Sequence, residues 1–254
     1  LLGEKEIVHI YNVDKPLDDI VTFVIPVRID SSERRENLDV VLDQLSKRKR
    51  SKIIVLEVDN DSKYRVPGNC LNVTYRFVKD DNPIFYRTKY LNELLYETDT
   101  SIVGIWDTDV IVPDDQIDSS MEDSCVFRDN RLIEFLKEKE HLNCFIHSVG
   151  GAFLVHKDYY LEAGGENEHF CGWGMEDMER VKRMEIVGLP VSRAVGALYH
   201  LFHYRYENSR FNSFKQEEEN RKEFLKICGM YKEQLMQYVR TWRMFETSVG
   251  KPVS

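Results

Sequence analysis

Three short segments of this 254-residue sequence place reactive side chains at telling spacings. In GIWDTDVIVP, residues 104–113, Asp107 and Asp109 interrupt an apolar run that otherwise reads as a buried strand. Residues i and i+2 of an extended chain share a face, so the two acids are expected side by side. Two anions that close, once desolvated, repel unless a cation or several donors join them. The segment is therefore an acidic strand end or half of a metal site. In ALYHLFHYR, residues 197–205, His200 and His203 stand three apart and can converge on one side of a turn. Imidazole with carboxylate suits Mn²⁺ or a similar divalent ion; the plain alternative is a hydrogen-bonded surface pair.

The third segment is HFCGWGMEDMER, residues 169–180. Glycines on both sides of Trp173 let the indole project from a tight loop, and its face is a platform for the apolar face of a sugar. Glu176 and Asp177 follow at a helix start, where free N–H groups and the dipole favour ionised carboxylates. A carboxylate there can act as a general base or simply cap the helix. Arg28, Arg87 and Lys89 lie near strand ends. They read as solvated surface charges or as the cations a metal-bound diphosphate requires.

These residues need a scaffold. Ile20–Arg28 is a β-rich apolar run, and SERRENLDVVLDQL after it repeats Leu38, Val41, Leu42 and Leu45 at helical spacing. Strands are expected over 52–60, 72–78 and 101–109, with a helix over 88–98 between the last two. Strands alternating with helices predict βαβ units, a mainly parallel sheet and a ligand site at the carboxyl ends of the strands. Residues 121–141 read as charged and helical, and strand character returns around Gly150 and Gly151. Helices are expected over 176–187 and 214–245, with strand-like chain over 191–204 between them. The last helix is expected to pack on the core, membrane-surface or partner docking being its alternative.

A net charge of −9 argues against broad nucleic-acid binding, and no apolar run approaches a membrane span. Five cysteines without a C-x-x-C pair fit neither a disulfide framework nor a zinc ribbon. The first residues, LLGEKEIVHIYN, lack the basic start and apolar core of a signal peptide. The expectation is a reducing, cytoplasmic setting, with peripheral association at the inner face of a membrane.

In chain order, FVIPVR, FYRTKYLN, WDTDVIVP, VGGAFLVHKDYYLEAGGENEHFCGWGMEDMER and YHLFHYR resemble a GT-A glycosyltransferase. The likeness covers residues 20–206 and is greatest to the β-1,4-galactosyltransferases and to bacterial family 2 and chondroitin-polymerase-type enzymes. It implies a Rossmann-like mixed, mainly parallel sheet flanked by helices over 1–211, with a C-terminal helical extension, 212–254, packed on it. It also implies roles. Pro26, Val27 and Arg28 would meet the nucleotide, with Phe85, Arg87 and Lys89 near its base and phosphates. Asp107 would lie near the ribose and Asp109 would bind Mn²⁺ (or Mg²⁺) with His200 or His203. Gly150, Gly151, Trp173, Gly174 and Glu176 would contact the donor sugar, and Asp177 would be the catalytic base. Glu57 or Asp59 would read the uracil. Met175 and Asp30 depart from the family pattern, which has glycine and a second arginine at those places.

The activity implied is inverting transfer of a hexose or N-acetylhexosamine from a UDP-sugar to a saccharide or lipid-linked saccharide hydroxyl. A retaining transferase and a non-catalytic nucleotide-sugar module are the alternatives. A nucleotidyltransferase would carry a glycine-rich loop after the first strand, and PVRIDSSERR has no glycine.

Overall fold

A computed structural model describes residues 20–121, 125–128, 131–135, 149–194, 197–204, 206 and 213–242. Its strands are β1 (Val21–Val27), β2 (Ser51–Asp59), β3 (Val73–Lys79), β4 (Ile102–Trp106), β5 (Val110–Ile111), β6 (Cys125–Arg128), β7 (Arg131–Phe135), β8 (Ala152–His156), β9 (Ser192–Ala194) and β10 (Ala197–Leu201). Its helices are α1 (Ser32–Ser46), α2 (Arg87–Glu97), α3 (Asp114–Met121), α4 (Lys157–Glu162), α5 (Glu176–Val187), α6 (Phe214–Cys228) and α7 (Lys232–Val239).

Seven strands form one sheet in the order β3-β2-β1-β4-β8-β6-β9, and β5-β10-β7 form a small second sheet. β3, β2, β1 and β4 run parallel, whereas β8 is antiparallel to both its neighbours. This is the mixed, mainly parallel sheet expected from the sequence. β1 is buried along its whole length because helices cover both faces. Val21, Phe23, Ile25 and Val27 join the core under Leu38, Val41, Leu42 and Leu45 of α1. Val24 joins Leu91, Leu94 and Leu95 of α2 on the opposite face. Each such fully buried side chain contributes about 1.5–3 kcal/mol. Ser31 caps α1 by accepting from the Arg34 N–H at 3.1 Å, which starts the helix directly beyond the β1 carboxyl end.

Three expectations need correction. Over 121–141 the described chain is not helical: α3 ends at Met121, and β6 and β7 follow. CVFR pairs with β8 and RLIEF with β10, so tertiary pairing overrides the charged, helix-compatible local pattern. Residues 122–124, 129–130 and 136–141 lie outside the described chain. The expected strand over 101–109 ends at Trp106, and Asp107–Asp109 form a turn before β5.

The last helical stretch is two helices. Gly229 is the C-cap of α6, and the Tyr231 N–H donates to Gln234 Oε1 at 3.0 Å as α7 begins. Ile227, Leu235, Val239 and Trp242 form a cluster that takes in Ile186 and Val187 of α5. Residues beyond 242 lie outside the description.

Candidate active site

The D-x-D turn is held by backbone on both sides. The Asp107 N–H donates to the Gly151 carbonyl at 2.8 Å, and the Asp109 carbonyl accepts from the Leu201 N–H at 2.7 Å. β10 pairs antiparallel with β5 and sets His200 opposite Val110, beside Asp109. Asp109 Oδ1 then lies 3.5 Å from His200 Nε2, and Oδ2 lies 3.1 Å from His203 Nε2. One ligand atom from each of the three residues falls within 4.8 Å of the others.

This donor set fits a divalent ion. His203 Nδ1 is 2.9 Å from the Tyr204 carbonyl, which only accepts, so Nδ1 carries a hydrogen and Nε2 is the atom facing Asp109; protonated it donates to the carboxylate, and deprotonated it would offer a metal its lone pair. His200 Nδ1 is buried with no hydrogen-bond partner among the described residues. One carboxylate with two imidazoles suits Mn²⁺ and its neighbours. Burial opposes charge on Asp109, but the hydrogen bond from His203 and the positive charges of His200, His203 and Arg34 hold its carboxyl at about 2. Asp107 takes another partner, accepting from Arg87 Nη2 at 2.5 Å. Its carboxyl is nonetheless raised, first by burial and then by Asp109 and Asp177, against the pull of Arg87.

Across the cleft, Gly172 and Gly174 have φ of 67° and 105°, left-handed angles that turn the chain tightly around Trp173. The indole is 39% exposed. α5 starts immediately after, and its N-cap, Met175, makes no side-chain cap bond. Glu176 and Asp177 follow in its first turn. Burial, then the Asp177 charge, pushes Glu176 up to about 7. Asp177 Oδ1 accepts from Arg180 Nη1 at 2.6 Å.

Between the two sides lies a cleft of about 150 Å³ walled by cations as well as acids. Arg28 is fixed by donation to the Val58 carbonyl at 3.0 Å and the Asn82 carbonyl at 2.7 Å, with its guanidinium over the Phe85 ring. Arg28 Nη2, 4.0 Å from Asp80 Oδ2, and Arg87 Nη1 are buried and find no hydrogen-bond acceptor among the described residues. Two such guanidinium groups could receive an anion with several oxygens.

Comparison with known proteins accords with that geometry. Residues 136–207 match the family model described as the N-terminal domain of galactosyltransferase. Beta-1,4-galactosyltransferase 7 of Drosophila melanogaster is 32% identical over 95 residues, which is 34% of this chain and 29% of the relative's length. The crystal structure of that Drosophila enzyme's catalytic domain with xylobiose superposes with a TM-score of 0.55 at 19% identity, covering 79% of each chain. A mutant of the same enzyme, in complex with manganese, UDP-Gal and xylobiose, gives a TM-score of 0.51 at 17% identity over 80% of this chain and 79% of that one. GalNAc-T7 with UDP, GalNAc and Mn²⁺ gives 0.57 at 11% identity, covering 88% of this chain and 51% of the other. The chain has the GT-A fold, and its sequence is similar to galactosyltransferases over residues 136–207.

In this GT-A chain, Pro26, Val27, Arg28, Phe85, Arg87, Asp107, Asp109, Trp173, Glu176, Asp177, His200 and His203 share the walls of one cleft. The other predicted residues are placed differently. Lys89 Nζ lies over the Tyr90 ring and 4.0 Å from Glu93 Oε1, away from the cleft walls. Glu57 is buried, and its carboxylate accepts from the Lys63 and Tyr64 N–H groups and the Tyr75 hydroxyl, so it orders the chain after β2. Asp59 lines a neighbouring cleft of about 290 Å³ with Arg28, Lys63 and Asn82, its carboxylate 2.8 Å from Lys63 Nζ. Gly150 abuts Asp177, Gly151 anchors Asp107, and the Gly174 carbonyl accepts from Asn220.

Sequence reasoning missed Arg34, which lines the GT-A cleft, donates to Asp30 Oδ1 at 2.7 Å and lies 3.8 Å from Asp109 Oδ2. The i,i+4 pairing of Asp30 with Arg34 was the available signal. It also missed Asn220, a buried polar residue inside an amphipathic helix.

Proposed function

We propose that this protein is a metal-dependent, inverting glycosyltransferase that moves a hexose, galactose first among candidates, or an N-acetylhexosamine from a UDP-sugar to a saccharide hydroxyl. The observation that carries the reading is the convergence, in one cleft, of the Asp109–His200–His203 cluster, two incompletely partnered guanidinium groups and a carboxylate beside an exposed indole. The relatives' bound UDP-Gal, UDP, GalNAc, manganese and xylobiose support the same substrate classes.

Arg28 and Arg87 hold the diphosphate, with Arg34 beside them, and Asp59 and Lys63 border the cleft that receives the base. Trp173 stacks on a sugar, and Glu176 hydrogen-bonds a donor hydroxyl. Asp177 removes the proton from the acceptor hydroxyl as that oxygen bonds the anomeric carbon and the bond from that carbon to the phosphate oxygen breaks. UDP leaves, the proton remains on Asp177, and attack from the opposite face inverts the configuration. Mn²⁺ or Mg²⁺ held by Asp109, His200 and His203 would supply charge neutralisation for the leaving diphosphate.

Cys70, Cys171 and Cys228 are free thiols, and among the described residues no helix is long and apolar enough to cross a membrane. A cytoplasmic setting with a saccharide or lipid-linked acceptor, and the division into a domain over 1–211 and a helical extension over 212–254, belong to the proposal.

The test is UDP release from a panel of UDP-sugars with xylose-type and hexose-type acceptors, with Mn²⁺ and with EDTA. Metal-dependent release, lost in Asp109→Ala, is expected. Asp177→Asn should bind UDP with Mn²⁺ normally yet fail to transfer. Binding without turnover in wild type across the panel would favour a nucleotide-sugar binding module instead, and retention at the anomeric carbon by NMR would overturn inversion.

A further inference from the structure

Asp177 is gripped from behind. Arg180, one helical turn on, donates from Nη1 to Asp177 Oδ1 at 2.6 Å, yet Arg180 is 1% exposed and does not line the cleft. Its other donors all point inward. Nη2 reaches Glu166 Oε2 at 2.9 Å, and Nε reaches Glu166 Oε1 at 3.1 Å and the Tyr160 hydroxyl oxygen at 3.0 Å. The Tyr160 hydroxyl itself donates to Glu166 Oε1 at 2.7 Å. The guanidinium carbon sits 5.2 Å from the centre of the Phe153 ring.

The assembly is rigid because every member is fastened elsewhere. Phe153 is in β8 and Tyr160 in α4, both fully within the core. The Glu166 backbone N–H donates to Asn92 Oδ1 at 2.8 Å, and Asn92 Nδ2 donates to the Glu166 carbonyl at 2.9 Å, which ties the loop to α2. Burial works against charge on Glu166, but Arg180 outweighs it and holds this carboxyl below the ordinary range. Burial, with Glu166 next to it, pushes the Tyr160 hydroxyl well up, so it remains a donor.

On the far side of Asp177, Gly150 leaves no room to spare. A Cβ at residue 150 would stand 2.4 Å from Asp177 Oδ2. The carboxylate is thus confined between Arg180 at one oxygen and the Gly150 backbone at the other.

We propose that Arg180, braced by Glu166 and Tyr160, is a positioning residue that aims the Asp177 carboxylate and, because Glu166 already balances its charge, leaves that carboxylate able to accept a proton. An arginine paired with Asp177 alone would place its whole charge on the base and weaken it. A guanidinium shared between two carboxylates supplies direction with less of that penalty. The fork geometry requires arginine, since an ammonium is a point charge without a fixed plane.

This inference rests on Asp177 being the base, and the experiment separates the two. Initial rates are measured for wild type, Asp177→Asn, Arg180→Lys, Arg180→Met and Glu166→Gln, each checked for folding by circular dichroism and for UDP–Mn²⁺ binding by calorimetry. Asp177→Asn inactive with UDP binding intact establishes the base. Arg180→Met is then expected to lose about 10²-fold in kcat with the donor KM unchanged, the cost of a small misplacement of a reacting group. Arg180→Lys should recover part of the loss. Glu166→Gln sets an amide N–H₂ against a guanidinium donor, which both loosens the brace and uncovers the arginine's charge beside Asp177, and its kcat is expected to fall several-fold at unchanged KM.

Folded Arg180 variants with wild-type kcat, or losses in which KM rises as kcat falls and Lys does no better than Met, would overturn the positioning role while leaving the base intact. Should Arg180→Met not fold, Glu166→Gln decides alone: unchanged kcat in that variant defeats the proposal. An active Asp177→Asn variant would defeat the base assignment itself.

Discussion

The Asn220 side-chain amide of α6 donates to the Gly174 carbonyl and the Cys171 carbonyl, each at 3.1 Å, and so stitches this helix to the loop that carries Trp173. Asn220 is wholly buried, and its Oδ1 accepts from Gln216 Nε2 at 3.0 Å and from the Cys171 N–H at 3.4 Å. Asn220→Ala removes both donors and strands two carbonyls, a cost of about 1–3 kcal/mol. The Trp173 loop should loosen as well, so sugar KM is expected to rise several-fold while UDP affinity holds. Urea unfolding with steady-state kinetics on one preparation checks both. Unchanged KM in a destabilised variant would confine Asn220 to a stability role.

Met175 carries the one left-handed non-glycine backbone among the described residues, with φ of 74° at the N-cap of α5. An L side chain there costs about 1–2 kcal/mol, and glycine gives back about 0.5–1 kcal/mol through the entropy of its unfolded chain. Met175→Gly is therefore expected to stabilise the protein by about 0.5–1 kcal/mol, whereas Met175→Ala keeps the strain and gains nothing. Equal denaturant midpoints for both variants and wild type would show that the angle is unstrained.

The fold was legible wherever local pattern and tertiary demand agreed. Leu38, Val41, Leu42 and Leu45 announce α1 by spacing alone, and all four are buried. The D-x-D turn was misread as strand because Trp106 and Val110 are both core residues on either side of it, and periodicity registers apolarity rather than a change of direction. Residues 125–135 misled for the opposite reason: charged neighbours mask short strands whose partners are β8 and β10, far along the chain. At the site, residue types with distinctive spacing were visible. Lys89 and Glu57 sit at plausible sequence positions, but one side chain lies over Tyr90 and the other is spent on backbone N–H groups. Arg180 was invisible, and Arg34 announced only its i,i+4 pairing with Asp30, because a charged residue in a helix gives no sign of whether it faces water, a cleft or a buried carboxylate.

Residue 30 is an aspartate, and it orients Arg34 through a 2.7 Å bond. Arg34 also donates to Thr108 Oγ1 at 3.3 Å, inside the D-x-D turn. Arg34→Ala is expected to weaken UDP binding about tenfold, the loss of one charge-assisted contact of about 1.5 kcal/mol. Asp30→Asn should do less, because the arginine keeps its charge and loses only its guide. Calorimetric titration with UDP and Mn²⁺ reads both, and equal UDP affinity in wild type and Arg34→Ala would remove Arg34 from the phosphate site.

Glu176 makes a pH prediction with a definite sign. Burial and the neighbouring Asp177 raise its carboxyl from an ordinary 4.5 to about 7 in the folded protein. The folded state therefore holds the proton more tightly than the unfolded chain does, and the group favours folding below about pH 4.5. That advantage is lost as pH rises toward 7, and above it a buried carboxylate is carried at a cost on the order of 1–3 kcal/mol. Glu176→Gln resembles the protonated acid at every pH. The variant should match wild type in melting temperature near pH 4 and exceed it near pH 8, in EDTA and without nucleotide. The same substitution should weaken donor use, because a neutral amide accepts a sugar hydroxyl's hydrogen bond less strongly than a carboxylate. A constant difference in melting temperature across that pH range would mean that Glu176 does not titrate there, and the charge argument for its place beside the sugar would fall with it.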